Sequence, residues 1–303
     1  ARMARMHLLW KKPTADSLER AIKAAREAEA TILFLGLSPR LEGEEMNVPV
    51  PGFKGGDRLT LDLPANQEKL LEEVTKAAAG KPVILVLLNG SPLAVNRAVE
   101  LVPAIVEAWY PGQAAGAAIA DVLFGDYNPA GRLPVTFYKS ATDLPDFSDY
   151  RMAGRTYRYF KKEPLFPFGY GLSYTNFSYS KLSVPKSLKA GDELTISVEI
   201  KNTGQRDGEE VVEVYLSRPD STSPVNPLRW LAGYQRLFLR AGEKQKVTLT
   251  IRPQELVTYD AEGNRIIETG KLIVSVGGQQ PGFSGRLSDP TTSVMTAEIK
   301  IKR

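Results

Sequence analysis

An apolar run that stops at Leu37 is followed by a dense set of charged residues: Leu41-Glu42-Gly43-Glu44-Glu45-Met46, then Gly55-Gly56-Asp57-Arg58. Residue types of this kind suit acid/base work on a polar substrate. Hydrolysis of a glycosidic bond uses two carboxyl groups on opposite sides of the bond, one of which protonates the leaving oxygen. That group needs a pKa raised toward the working pH, and neighbouring carboxylates raise it by like-charge repulsion. Glu42, Glu44 and Glu45 are close enough in sequence to perturb one another. Asp57 and Arg58 could offset part of that charge, or hold the loop's shape through an ion pair. The same spacing also describes solvated loop charges, the commoner fate of an acidic cluster, or a metal site, for which Glu-x-Glu without EF-hand spacing is a weak ligand set.

The elements around this loop place it. Thr31 to Leu37 is a short continuous apolar run, as are Pro82 to Leu88 and Ala104 to Tyr110, which is the pattern of strands buried on both faces. Arg132 to Phe137 is a candidate fourth strand, demoted to an edge by Pro134. Helical periods lie between the strands: Ser17 to Ala28, Pro64 to Ala79, a segment opened by Ser91-Pro92, and Gly112 to Leu123. This alternation predicts a parallel sheet with helices on both faces. The charged loop, Ser38 to Asp62, then lies beyond the carboxyl end of a strand, where open α/β sheets bind ligands. At roughly 25 residues it far exceeds an ordinary strand-to-helix connection, as functional loops do. Asn89-Gly90-Ser91 and Pro111-Gly112-Gln113 are tight turns at the ends of the next two strands, serving structure or offering N–H groups to an anion or hydroxyl.

After about residue 180 the period changes to two. Leu194, Ile196, Val198 and Ile200 alternate with polar residues, Val212, Val214 and Leu216 alternate with Val211, Glu213 and Tyr215, and Val247, Leu249, Ile251 and Leu272 to Val276 continue the pattern. Period-two strands separated by turn residues predict a β-sandwich. Tyr150 to Phe177, between the halves, is rich in aromatics and glycine. It reads as a packing strap, or as a segment whose Tyr157, Tyr159 or Tyr170 flanks a sugar. Trp230, Tyr234 and the loop Asp220 to Asn226 are read as packing rather than sugar contact.

Composition excludes several classes. The 303 residues suggest two domains, with 43% hydrophobic and 24% charged residues, as in an ordinary globular protein. The net charge of +4, from 39 basic and 35 acidic residues, is small and scattered, so neither a nucleic-acid stripe nor a membrane surface is expected. The absence of cysteine removes thiolate nucleophiles and zinc-thiolate sites. The single histidine, His7, is too near the end of the chain to anchor a Ser-His-Asp triad. There is no G-x-G-x-x-G after a strand and no P-loop. No cofactor or metal is expected. Two Ala-Arg-Met copies followed by His7-Leu8-Leu9-Trp10 read as a tail from an upstream element, so a fragment of a longer polypeptide or half of a two-chain assembly is expected.

Taken together, Leu41 to Met46, Gly56-Asp57-Arg58 with Leu61-Asp62-Leu63-Pro64, Asn89-Gly90, Trp109 to Gln113, Leu123 to Pro134 and Phe166 to Tyr174 resemble the C-terminal part of family 3 glycoside hydrolases, the β-glucosidases and β-xylosidases. The resemblance implies an α/β three-layer sandwich, mostly parallel, followed by an all-β fibronectin type III-like sandwich. Its implied boundaries are a tail over 1–14, the acid/base-bearing domain over 15–149, an aromatic strap over 150–178 and the β-sandwich over 179–303. It implies a retaining exo-β-glycosidase acting on terminal β-glucosyl or β-xylosyl residues. The acid/base is Glu44, with Glu42 and Glu45 as rivals, and Glu42, Asp57 and Arg58 are substrate-binding. Glu45 stands where the family often has glycine. The family's aspartate nucleophile belongs to a (β/α)₈ barrel with no counterpart in this sequence, so the implied partners are a carbohydrate and a barrel on another chain or an upstream segment, with further copies of the chain as another candidate. A secreted or periplasmic location follows from the same resemblance. The alternative is a non-catalytic carbohydrate-binding or scaffolding fragment.

Overall fold

The computed structural model describes residues 15–42, 45–55 and 57–303. The expected tail over 1–14, including His7, lies outside them, as does Glu44. The chain forms two compact units, the first closing at Pro111 and the second opening at Gly112.

The first unit contains α1 (Ala15–Glu27), β1 (Thr31–Gly36), the short hairpin β2 (Phe53–Lys54) and β3 (Asp57–Arg58), α2 (Ala65–Ala78), β4 (Val83–Leu88), α3 (Asn96–Leu101) and β5 (Ala104–Glu107). The sheet runs β1-β4-β5 and all three strands are parallel, with Thr31 beside Val83 and Ile84 beside Ala104. Parallel pairing brings the carboxyl ends of the three strands to one edge. Central β4 is the most buried, with Val83, Leu85, Val86 and Leu87 at most 1% exposed. Helix α2 packs against β1, α1 and α3. It buries Leu71, Val74 and Ala78, the i, i+3, i+7 stripe of an amphipathic helix, and ends in a left-handed Ala79 followed by Gly80. Its Gln67 amide bonds both backbone groups of Gly36, at 2.8 Å and 2.7 Å, fixing the end of β1.

The helix expected from Ser91-Pro92 begins only at Asn96. Residues 91–95 are held outside the helix from without. The Leu61 carbonyl accepts the Ala94 N–H at 2.7 Å, and Arg58 takes the Pro92 carbonyl at 2.8 Å.

The second unit opens with α4 (Ala115–Phe124) and a one-turn α5 (Thr156–Tyr159). Its strands are β6 (Phe177–Ser183), β7 (Ser187–Lys189), β8 (Leu194–Asn202), β9 (Gly208–Ser217), β10 (Trp230–Leu239), β11 (Lys244–Ile251), the small hairpin β12 (Thr258–Tyr259) and β13 (Arg265–Ile266), β14 (Gly270–Gly277) and β15 (Val294–Lys302). One sheet runs β10-β9-β14-β15-β7 and a second β11-β8-β6. Both contribute to one apolar core, including Ile196, Val198 and Val247 from one sheet and Val212, Val214, Leu272 and Val274 from the other.

Arg132 to Phe137 is not a strand. Apart from a single bridge between Phe137 and Phe166, it pairs irregularly with 165–170, through Leu133 N–H to the Tyr170 carbonyl and Gly169 N–H to the Leu133 carbonyl. Pro134, lacking an N–H, breaks any ladder there. A second correction concerns β9, where Glu213 and Tyr215 alternate in sequence with the core residues yet are only 3% and 1% exposed. The aromatic strap covers this outer face. Tyr157 stacks on Phe168 at 4.1 Å, and both rings meet Tyr215 edge-on. Tyr157 therefore packs on protein, as the strap reading expects. Tyr170 lies against Phe166, and Trp230 is buried with its indole N–H on the Glu255 carbonyl.

Candidate active site

The carboxyl edge of the parallel sheet gathers side chains from three successive connections. Glu42, five residues past the last Leu in β1's run, returns to the turn after β4. One of its carboxylate oxygens accepts the Ser91 hydroxyl, and the other accepts the Gly90 N–H at 3.1 Å and the Tyr110 hydroxyl. Gly90 is required here by close approach: a Cβ would lie 2.8 Å from the Tyr110 ring and 3.3 Å from the Glu42 carboxylate. Tyr110 is pushed up from its ordinary pKa by partial burial and then by its bond to Glu42, so it acts as a donor.

Arg58 approaches the same turn from the hairpin. One guanidinium nitrogen donates to the Ser91 hydroxyl and to the Pro92 carbonyl, each at 2.8 Å. Burial lowers its pKa, against the opposing pull of Glu42, Asp62 and Tyr110. Its second terminal nitrogen is buried and has no partner among the described residues. The shape-holding role expected of Asp57-Arg58 thus falls to the guanidinium, gripping the turn after β4. Asp57 itself is exposed.

In the lower part of the cluster, Asn89 was read in the sequence only as part of a turn, and Glu107 was not singled out. Asn89, fully buried, donates to the Ser91 carbonyl at 3.0 Å and to Glu107 at 3.3 Å, and its carbonyl oxygen is unpartnered among the described residues. Glu107, the last residue of β5, also accepts the Trp109 N–H at 3.1 Å. Burial raises its carboxyl to about 7, the two hydrogen bonds pulling the other way. The available signal was a lone carboxylate interrupting the apolar run Ala104 to Tyr110.

Glu45 is exposed and adopts φ 52, in the left-handed region that favours glycine. That conformation is one that glycine adopts without a steric penalty. A non-glycine residue held there stores strain of about 1 kcal/mol or more, and such outliers concentrate at functional sites. The structure thus brings Glu42 and Arg58 together on Ser91 and leaves Glu45 and Asp57 at the surface. Among the described residues, no group of three histidine, aspartate or glutamate side chains is placed to hold a metal ion.

Comparison with known proteins identifies the family. Residues 7–174 match the glycosyl hydrolase family 3 C-terminal domain, and residues 210–280 match a fibronectin type III-like domain. The chain is 47% identical over 229 residues to a xylan 1,4-beta-xylosidase of Xylanibacter ruminicola, covering 76% of this chain and 26% of that protein. It is 34% identical over 274 residues to a periplasmic beta-glucosidase of Salmonella typhimurium, covering 86% and 34% respectively. The beta-D-glucoside glucohydrolase of Trichoderma reesei superposes with a TM-score of 0.80 at 28% identity, covering 95% of this chain and 42% of that one. A beta-glucosidase of Listeria innocua crystallised with glucose gives 0.78 at 28% identity, covering 96% and 39%. The two matches describe an α/β glycosyl hydrolase domain followed by a fibronectin type III-like domain. The chain belongs to glycosyl hydrolase family 3. It spans about a quarter to a third of the length of the curated relatives quoted.

Proposed function

We propose that this chain is the acid/base-bearing portion of a retaining exo-β-glycosidase that removes terminal β-xylosyl or β-glucosyl residues. The observation that carries the reading is the attachment of Glu42, at the head of the acidic loop, to the Gly90-Ser91 turn at the carboxyl edge of the sheet. That attachment roots the head of the loop where open α/β sheets bind ligands. On this reading Glu44 protonates the leaving oxygen and later activates water, with Glu42 and Glu45 as rivals. The nucleophile is an aspartate on a barrel, upstream in the same polypeptide or on another chain, since a retaining mechanism needs a second carboxylate about 5 Å from the first. Residues 15–149 form the three-layer acid/base domain, 150–178 the strap and 179–303 the β-sandwich.

The substrate class rests on the names of the relatives, a xylosidase and glucosidases. The Salmonella relative is named periplasmic, which supports a secreted or periplasmic location. No helix among the described residues is long and apolar enough to cross a membrane.

The test is turnover of aryl β-xylosides and β-glucosides by the complete enzyme carrying Glu44→Gln. Loss of about a hundredfold or more in kcat on poor leaving groups is expected, with added azide restoring deglycosylation. An unchanged rate removes Glu44 from the role, and sugar binding without any hydrolysis by the complete protein identifies a non-catalytic module instead.

A further inference from the structure

The contacts of Glu42, Ser91, Tyr110 and Arg58 form a device distinct from the acid/base itself. Glu42 stands before the acidic loop's glutamates and Arg58 stands after its hairpin, and both end on Ser91. The intervening segment is therefore bracketed by two attachments to a single turn. The turn is rigid for its own reasons. The Asn89 amide holds the Ser91 carbonyl from below, the Ala94 N–H is bonded to Leu61, and Gly90 leaves no room for a side chain.

Both Glu42 oxygens are occupied as acceptors of donors from protein: Gly90 N–H, Ser91 and Tyr110. A general acid must direct an O–H at the leaving oxygen, and this carboxylate is turned inward to the turn instead. Arg58 likewise commits one guanidinium nitrogen to Ser91 and the Pro92 carbonyl.

We propose that Glu42 and Arg58 are positioning residues: they clamp the two ends of the acidic loop to the Gly90-Ser91 turn, Tyr110 closing the clamp, and act on catalysis only through the loop glutamate they hold. This rests on the proposed acid/base role of the loop. It moves Glu42 from rival acid/base and substrate ligand to support, and predicts the consequences of losing it. A loop glutamate displaced by an ångström loses about a hundredfold in rate, while the chemistry that an external nucleophile bypasses is unaltered.

The experiment uses the complete enzyme with Glu42→Gln, Tyr110→Phe, Glu44→Gln and the double variant Glu42→Gln/Glu44→Gln, assayed on an aryl β-xyloside with and without azide. Tyr110→Phe keeps the ring against Gly90 and removes only one donor, so it reports on the clamp even if Glu42→Gln folds poorly. The expected result has four parts: Glu42→Gln and Tyr110→Phe lower kcat more than they raise KM, neither is rescued by azide, Glu44→Gln is rescued, and the double variant is no slower than Glu44→Gln alone. Azide rescue of Glu42→Gln would make Glu42 the acid/base and overturn the proposal. Multiplicative losses in the double variant, or wild-type rates for both clamp variants while Glu44→Gln stays impaired, would also overturn it. An unimpaired Glu44→Gln instead sinks the acid/base assignment on which the clamp depends.

Discussion

Glu107 ends β5 with a carboxyl that burial lifts from an ordinary 4.5 to about 7. Between those values the folded chain retains a proton that the unfolded chain has released. Stability therefore falls as pH rises through that window and levels off above it, by at most about 3 kcal/mol for this group. Glu107→Gln should abolish this part of the slope, measured as the difference in urea unfolding free energy between pH 4.5 and pH 8 against the parent chain. An unchanged slope would place the titration elsewhere, with buried Glu213, also raised to about 7, as the next group to test. The contrast between Glu107 and Glu42 marks what a sequence exposes at this scale. Charged residues clustered behind an apolar run announce a candidate site, and Glu42 and Arg58 were visible that way. Which of them faces inward depends on donors 48 and 49 residues distant at Gly90 and Ser91. Glu107 was hidden because it sits inside a strand run and gains its meaning only from the Asn89 beside it.

At the scale of elements, β9 is the instructive strand. Period-two alternation located its core face correctly, through Val212, Val214 and Leu216. Its other face, carrying Glu213 and Tyr215, is buried as well, and Glu210 is a buried carboxylate in line with the core residues. The covering segments are irregular and far away in sequence, and irregular backbone has no period to read. Arg132, expected within a strand, instead reaches Glu210 at 2.7 Å, with side-chain exposures of 5% and 0% for the pair. Tyr179 and Thr292 donate to the other Glu210 oxygen, and the Gly278 carbonyl accepts from Arg132. Replacing Arg132 with Ala removes the cation but leaves a buried carboxylate. Breaking such a pair from one side costs about 3 to 5 kcal/mol, readable as a lower urea midpoint at pH 7. A loss under 1 kcal/mol would mean that Glu210 is satisfied without its partner. Parallel β1, β4 and β5 were the most legible elements, since continuous apolar runs bounded by turn residues allow few other structures.

For the whole molecule, most of the chain shows the family, and the proposed activity calls on a barrel as well. The aligned part of this chain covers only 26% and 34% of the relatives quoted. The loop contributes one carboxyl in the proposed reaction and a barrel the other. The most direct measurement is the product formed by the complete enzyme carrying Glu44→Gln when an activated aryl β-xyloside is turned over in azide, with the anomeric configuration read by proton NMR. The account predicts β-xylosyl azide: the barrel aspartate forms the glycosyl-enzyme, and azide attacks in place of the water that Glu44 no longer activates. Free xylose released at the unaltered rate, with no azide adduct, would contradict it.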